Sequence, residues 1–320
     1  MPTIREESLR CFIEEWCEEF ADAVLVVVED NPSKSFDIGS PNNLEIEHYS
    51  WHEIDNLLRE DAALIPRRTD CVRSFGYLRA LELKPKMIIT LDDDCYPDEL
   101  PFVEQHWSRL GGAPSDAWTN TLQGGKPRGI PYFNTQRQSI AMINHGLWSN
   151  IPDFDAVTQL AGSTNYPEGQ AEIGLINQVI PRGSYYPMCG MNLAFRPEIV
   201  PALYFLQMGQ GQPYDRFGDI WAGIFSKRIC DHLGFAVTSG SPIIRHDRAS
   251  NVWSNLRKES TGLELNETLW ALVDGIVLTS RDVVGCYIEL AQSLPLDDSY
   301  WRDLRRSMNR WADLAQNRLN

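Results

Sequence analysis

The chain has 320 residues, with 29 basic and 44 acidic side chains and a formal net charge of −15. This length allows a large hydrophobic core, and the strong negative charge argues against extended binding to nucleic-acid phosphates. No apolar run is long enough for a membrane span, the N-terminus lacks the apolar core of a signal peptide, and the seven scattered cysteines form no Cys-x-x-Cys pair. We therefore expect a soluble cytoplasmic protein without disulfides or a zinc ribbon.

The first hundred residues alternate between helical and strand-like patterns. Apolar side chains recur at helical spacing over 6–20, which predicts a helix for packing or for homo-oligomer formation. Residues 24–28 form an uninterrupted β-branched run, which is typical of a buried parallel strand. A capping box opens a helix over 50–59, and a second helix is predicted over 71–83, before a strand at 86–91. This order predicts a parallel sheet with right-handed crossovers.

The remaining chain predicts one domain rather than two. A helix is expected over 98–110, and residues 111–139 are rich in Gly, Pro, Asn and Gln, as in a long loop. Strands at 235–238 and 243–246 close the sheet region, and helices follow from about 262. Without repeats or a low-complexity linker, we predict a single domain over 1–320. Its sheet core spans about 22–260, and a helical extension spans about 262–320.

Three consecutive aspartates, Asp92 to Asp94, follow the predicted strand at 86–91 directly. Like charges at this spacing repel one another, so they need water, partner cations or a bound divalent metal. An acidic loop that caps the next helix is one interpretation. The other is a site for Mg²⁺ or Mn²⁺ at the carboxyl end of a sheet, where open α/β sheets bind ligands.

Other polar residues at element ends have two interpretations each. His246 follows an apolar strand and is either a further metal ligand or a histidine bonded to backbone. Asp219 begins a helix and is either a cap or a catalytic carboxylate. Arg128 and Arg137 lie in the predicted loop, either solvated or held against a diphosphate. Glycine-rich nucleotide loops, a serine-esterase elbow and His-Glu-x-x-His are absent from the sequence.

Seven collinear motifs resemble one family, the reversibly glycosylated polypeptides, whose plant members are UDP-arabinopyranose mutases. The matching segments are Asp92–Cys95, His145–Trp148, Asn150–Ala156, Pro187–Phe195, Asp219–Gly223, Ile229–Gly234 and His246–Asn251. The resemblance as a whole spans roughly 22–292, so the N-terminal helix is expected to lie outside it.

The resemblance implies a GT-A-like fold, a Rossmann-like mixed sheet flanked by helices with extra helices at both termini. It implies that Asp92 and Asp94 hold Mn²⁺ or Mg²⁺, with His246 as a further ligand, and that Asp30 contacts the base or ribose of a nucleotide sugar. Asp219 is expected to face the sugar. The further expected substrate contacts are Arg73, Asp93, His145, Trp148, Asn192 and Trp221.

The family also implies a reaction, in which UDP-linked arabinose interconverts between pyranose and furanose forms and an arginine becomes glycosylated. Arg137 is the expected nucleophile, with Arg128 as its rival, although the surrounding residues differ from the family pattern. The plant pattern Asp-Asp-Met-Trp-Ala-Gly appears here with Gly218 in place of its first aspartate. A glycosyltransferase and a non-catalytic subunit that binds a nucleotide sugar are the alternatives, the second because of this lost carboxylate.

Overall fold

Helices flank a mixed parallel and antiparallel sheet in the computed structural model, which describes residues 1–39, 44–151, 153–162, 176–247 and 250–320. The strands are β1 (Pro2–Thr3), β2 (Val24–Glu29), β3 (Glu45–Tyr49), β4 (Ile88–Leu91), β5 (Cys95–Pro97), β6 (Gly112–Asp116), β7 (Gln136–Asn150), β8 (Gln178–Val179), β9 (Asn192–Phe195) and β10 (Ala236–His246). The helices are α1 (Glu6–Trp16), α2 (Trp51–Leu58), α3 (Val72–Glu82), α4 (Phe102–Arg109), α5 (Ala156–Gly162), α6 (Gly218–Leu233), α7 (Val252–Glu259), α8 (Leu263–Asp274), α9 (Val283–Ser293) and α10 (Ser299–Leu319). The predicted α/β class is confirmed.

The strands form two hydrogen-bonded groups. β1, β2 and β3 are parallel, as the β-branched run predicts. The larger group has the order β4-β9-β7-β10-β5, with β6 on β7 and β8 on β10. Its β9 is antiparallel to both β4 and β7, so the sheet is mixed, as the family resemblance implies. The parallel pairing predicted from the first hundred residues holds for β1 to β3, but β4 pairs with an antiparallel neighbour. The reason is that β9, from late in the chain, inserts between β4 and β7, and this pairing has no local sequence signal.

The predicted long loop over 111–139 is partly strand. β6 pairs with the first five residues of β7, so Arg137 lies opposite Ser115 in a ladder. Glycine, proline and amide side chains suggest a loop locally, but a neighbouring strand supplies the hydrogen bonds that the local composition does not. The two predicted strands near 240 are one strand, β10, with a register shift between Gly240 and Ile243.

Two hydrophobic clusters cover the sheet from helices on different sides. One contains the α1 residues Leu9, Phe12 and Trp16 together with Phe102 of α4. The other joins α3, α6, α9 and α10. The C-terminal helices therefore share their core with α3 and α6, which is what a single domain requires, although the domain limits stay a prediction. None of the described helices is long and apolar enough to cross a membrane.

A cavity of about 670 Å³ lies between β2 and β4, lined by Val24–Val26 on one side and Ile88–Leu91 on the other. The two-residue β1 pairs only with the end of β2, at Val28 and Glu29. The Met1 ammonium donates to the Val26 carbonyl at 2.7 Å, at one wall of this cavity. Strand edges that face each other across an apolar space have room for one more extended segment.

An engineered extension tests this geometry. Adding a four-residue alternation of valine and isoleucine before Met1 is expected to raise the melting temperature by about 3–8 °C, because burial of these side chains outweighs the entropy of ordering them. Differential scanning calorimetry measures the shift. A Gly-Ser extension of equal length is the control and should leave the melting temperature unchanged. Equal effects of the two extensions would contradict the prediction.

Candidate functional site

The site is built where β4 ends and α6 begins. Leu91, the last residue of β4, lies opposite Asn192 of β9, so Asp92 emerges beside the residues that lead into β9. α6 supplies Asp219 in its first turn. A single residue, Gly190, connects the end of β4 with the start of α6. Its carbonyl accepts a bond from Arg73 at 3.0 Å, and its N–H donates to Asp219 Oδ2 at 3.0 Å. The structure thus brings Asp92 and Asp219 into one site.

Arg73 of α3 is the buried cation of this site, and its side chain is only 5% exposed. It donates to the carboxylate of Asp92 and to the hydroxyl of Thr90, besides Gly190. Burial by itself raises the pKa of Asp92, but Arg73, followed by His246 and Arg5, outweighs burial and lowers the pKa. Asp92 is therefore held as an anion in one orientation.

The other two aspartates of the run contact the N-terminal segment. Asp93 is buried and accepts bonds from the Thr3 hydroxyl at 2.5 Å and from the guanidinium of Arg5. The N–H of Arg5 Nη2 also reaches Asp94 at 3.2 Å. Both oxygens of Asp93 thus have protein partners, so the expected sugar contact of Asp93 is not supported by its surroundings. Burial and then the charge of Asp92 raise the pKa of Asp94.

His246 is oriented by a backbone bond, because its Nδ1 lies 2.8 Å from the Ile151 carbonyl. A proton on Nδ1 leaves the lone pair on Nε2, the arrangement of a metal-ligating histidine. In its protonated form, the ring is also close enough to lower the pKa of both Asp92 and Asp94. Two carboxylates and an imidazole are donors that Mn²⁺ accepts. However, the described residues contain no ready-made group of three such side chains, so the metal stays a prediction.

Asp219 is placed by the start of α6. Its Oδ1 accepts from the Ile220 N–H at 2.8 Å, a bond made available by the free N–H groups of the first turn. Burial, followed by the charges of Asp70 and Asp153, raises the pKa of Asp219 to about 7. This carboxyl group can therefore accept or donate a proton near neutral pH.

Several charged residues around the site were not predicted from the sequence patterns. Asp70 precedes α3, and Arg216 stands two residues before α6 with a left-handed φ of 65°. Arg216 Nε donates to Glu259 at 2.9 Å, and the charges of Asp219 and Asp153 act on it. Arg5 belongs to the segment before α1. Asp70 and Arg216 share one signal, which is a charged residue just before a helix that supplies a site residue.

Two residues that are expected to contact substrate lie in the core. Asn192 is buried, donating to the Leu147 and Pro242 carbonyls at 2.9 Å each and lying 3.0 Å from His106. Trp221 is 0% exposed, within an aromatic cluster that includes Phe217 and Trp301. Both side chains are buried and have protein partners for their polar groups, so their surroundings do not support the expected substrate contacts, which stay predictions. In this structure, these two motif residues pack in the core.

His145 and Trp148 lie on β7 beside Tyr186, in edge-to-face ring contacts. His145 Nε2, Trp148 Nε1 and the Tyr186 hydroxyl are buried, and each has no hydrogen-bond partner among the described residues. Burial lowers the pKa of His145 to about 4, so the ring is neutral. Three unsatisfied polar atoms in one cluster are what a bound water or ligand would satisfy. The expected substrate contacts of His145 and Trp148 stay predictions.

Asp30 follows β2 and is buried, with its Oδ1 accepting from Trp51 Nε1 at 2.6 Å. Burial raises the pKa of this carboxyl, while Arg67 and Arg68 act against the shift. The strand end and the nearby arginines agree with a place for a nucleotide. The base or ribose contact itself stays a prediction.

The structure does not bring Arg137 or Arg128 to the aspartates. Both side chains are exposed. β7 runs parallel to β4 through β9, and Gly146 is the β7 residue level with Leu91. Arg137 lies nine residues earlier on β7, or about 30 Å away at about 3.3 Å per residue. At that distance, Arg137 on its paired strand does not reach a sugar bound between Asp92 and Asp219 in this conformation. Its role as the nucleophile stays a prediction without support from this placement.

Arg137→Ala is accordingly expected to leave single-turnover rates on a nucleotide sugar within about twofold of wild type, a change of less than about 0.5 kcal/mol in activation free energy. Rapid-quench measurements with enzyme in excess over substrate test this. Arg128→Ala is the matched control in the same exposed region. A loss of a hundredfold or more in Arg137→Ala alone would return this arginine to the chemistry.

A family model named "Reversibly glycosylated polypeptide" matches residues 1–319. The chain belongs to this family. The match includes α1, so the expectation that the N-terminal helix lies outside the resemblance is wrong. The structure explains why α1 belongs, since its apolar face forms a cluster with Leu91 and Cys95 on either side of the aspartates.

Curated relatives match nearly the whole length of this chain. It is 36% identical to UDP-arabinopyranose mutase 3 of Arabidopsis thaliana, over 98% of this chain and 89% of the relative. It is 37% identical to UDP-arabinopyranose mutase 1 of the same plant, over 98% and 90%. The probable UDP-arabinopyranose mutase 1 of Pisum sativum is 36% identical, over 98% and 88%.

Proposed function

We propose that this protein is a nucleotide-sugar mutase that interconverts the pyranose and furanose forms of UDP-linked arabinose. The observation that carries the proposal is the similarity to several UDP-arabinopyranose mutases over 98% of the chain. The site geometry supports it, because an ionised Asp92 and Asp219, whose carboxyl group has a pKa of about 7, are linked through the side chain of Arg73 and the backbone of Gly190.

The proposal includes a GT-A-like fold. Mixed pairing through β9, and acidic residues at the ends of β2 and β4, support this assignment. In such an arrangement, Asp30 and the nearby Arg68 face the nucleoside, and the ends of β4 and β9 face the diphosphate. The sugar then lies toward the start of α6.

Stabilising charge at the diphosphate is the first requirement of the reaction, since the C1–O bond to phosphate breaks with its electron pair on phosphate and re-forms after the ring has changed. Mn²⁺ or Mg²⁺, when bound by Asp92, Asp94 and His246, would neutralise that charge. Arg73 holds Asp92 in place, and Arg5 holds Asp94. These two contacts position the carboxylates before substrate arrives, which removes the cost of ordering them later.

Proton transfer at the sugar is the second requirement. Converting pyranose to furanose breaks the C1–O5 bond, forms a C1–O4 bond and moves one proton from O4 to O5. Asp219 has a pKa of about 7 and can take part in this transfer at neutral pH. Arg216 adds a cation whose field acts on Asp219 and Asp153.

We further propose a cytoplasmic location and a homo-oligomer as the working assembly. The support for the location is that all seven cysteines are free, as in a reducing compartment.

The test is incubation of the purified protein with UDP-L-arabinopyranose and Mn²⁺ or Mg²⁺, without an acceptor. A mutase produces an isomeric UDP-sugar that approaches an equilibrium ratio, which anion-exchange chromatography and NMR detect. Free sugar plus UDP would instead indicate a glycosyltransferase that hydrolyses its donor slowly. Binding without any conversion would indicate a regulatory subunit. Either of these outcomes contradicts the proposal.

A further inference from the structure

We propose that Asp70 is the second carboxyl group of the sugar site and forms a proton-transfer pair with Asp219. This inference rests on the proposed mutase function. It assigns a role to a residue that no sequence motif includes.

The position of Asp70 is defined by Gly218, the first residue of α6. A Cβ atom at Gly218 would lie 2.6 Å from Asp70 Oδ2 and 3.1 Å from Oδ1, so any side chain at 218 requires the Asp70 carboxylate to move. The carboxylate of Asp70 therefore occupies the space that a side chain at 218 would fill, directly beside Asp219. A carboxylate that is missing at 218 is thus supplied from the segment before α3.

The surroundings of Asp70 leave it available for a ligand. Its Oδ1 is buried and has no hydrogen-bond partner among the described residues. A buried carboxylate oxygen without a partner costs free energy, so such groups are usually retained for a bound species or a reaction. A sugar hydroxyl beside Asp219 would supply the missing partner.

The charges around the pair favour one shared proton. Burial raises the pKa of Asp70 to about 6, and the charges of Asp215 and Asp92 act in the same direction, against Arg73 and Arg216. Asp219 has its pKa raised to about 7 by burial and then by Asp70 and Asp153. Two close carboxyl groups do not both ionise readily, so near neutral pH one holds a proton and the other does not.

Such a pair can carry out both proton transfers of the ring exchange without another proton donor or acceptor. The ionised carboxylate accepts the proton from the O4 hydroxyl as the C1–O4 bond forms. The protonated partner donates its proton to O5 as the C1–O5 bond breaks. The pair ends with one proton, as it began, and the reverse reaction exchanges the two roles.

The test compares Asp70→Asn with the transfer variant Asp70→Ala/Gly218→Asp, which moves the carboxylate to the neighbouring position. We expect Asp70→Asn to lower kcat by about 10²- to 10³-fold with KM changed less than about threefold. The transfer variant should recover at least about a tenth of wild-type kcat. Gly218→Asp alone should lose activity, because its side chain collides with Asp70.

Stability provides a readout that a structural residue would not give. Because the pKa of Asp70 is raised in the folded state, its ionised form opposes folding above about pH 6 and has no effect well below pH 4. Asp70→Asn should therefore raise the melting temperature at pH 7.5, and the gain should vanish at acidic pH. A structural role predicts a lower melting temperature instead.

The outcomes separate this inference from the function it rests on. Wild-type protein that does not isomerise UDP-arabinose overturns the proposed function. An active wild type with an equally active Asp70→Asn variant overturns the role of Asp70 alone. If Asp70→Asn does not fold, the transfer variant decides: a folded but inactive protein overturns the inference, and recovered activity supports it.

Discussion

Replacing Asp92 and Asp94 together by asparagine is expected to lower kcat/KM for UDP-L-arabinopyranose by about 10³-fold or more. One preorganised charge that acts on a leaving group contributes about 10²- to 10³-fold, and this double change removes two. Asp92 loses the ionised state that Arg73 maintains, and Asp94 loses the charge that faces Asp92 and His246. Coupled chromatographic assays at saturating Mn²⁺ measure the loss, and a melting curve shows that the variant is folded.

The matched control replaces Asp297 and Asp303, whose side chains are 79% and 66% exposed, by asparagine. This control has the same change in net charge and should retain full turnover. Metal removal separates two parts of the assignment. If EDTA leaves wild-type turnover unchanged while the double variant is inactive, the aspartates act without a metal, and the metal assignment is wrong. Full activity of the double variant contradicts both parts.

Arg73→Met is expected to destabilise the fold by about 2–4 kcal/mol and to abolish turnover. Removing one partner of a buried ion pair typically costs about 3–5 kcal/mol, and the value is lower here because the Asp92 side chain is 36% exposed and keeps contact with water. The bonds to Thr90 and Gly190 are lost as well. A melting temperature about 5–10 °C below wild type is the measurable consequence.

Arg306→Met serves as the control, because its pair with Asp303 is exposed and worth at most about 1 kcal/mol. Arg73→Lys adds a second comparison. Lysine keeps the charge but lacks the planar fork, so part of the stability should return while turnover stays low, since Gly190 and Asp92 cannot both be bonded. A melting temperature of Arg73→Met within 1 °C of wild type would show that this cation does not hold the site together.

The run of three aspartates shows how much of the site a local sequence pattern can predict. An apolar strand that ends in three aspartates predicted a ligand edge, and the structure places Asp92 there beside Arg73. However, the same pattern does not distinguish the roles of the three carboxylates. Only the packing of the N-terminal segment shows that Asp93 is paired with Thr3 and Arg5. The difference is physical, because Asp93 and Asp94 lie in a turn after the strand, where the neighbours of each side chain depend on segments far away in the chain.

Residues within the family motifs show a second limit of prediction from sequence. Asn192 and Trp221 belong to segments that resemble the family, and a motif by itself does not distinguish a ligand contact from packing. The structure shows Asn192 bonding two carbonyls between strands and Trp221 at 0% exposure, so both serve the core. Asp70 and Arg216 show the converse, since no motif includes them and their place follows only from the approach of α3 to α6.

By itself, the sequence determined the α/β class, most helix positions, the acidic edge after β4 and the family. These depend on hydrophobic periodicity, turn residues and short motifs, which act over a few neighbouring residues. Tertiary structure decided the antiparallel insertion of β9, the distance of Arg137 from the aspartates and the approach of Asp70 to Gly218 at the start of α6. Each of these depends on contacts between segments far apart in the chain, whose charges and shapes interact only once the core has formed.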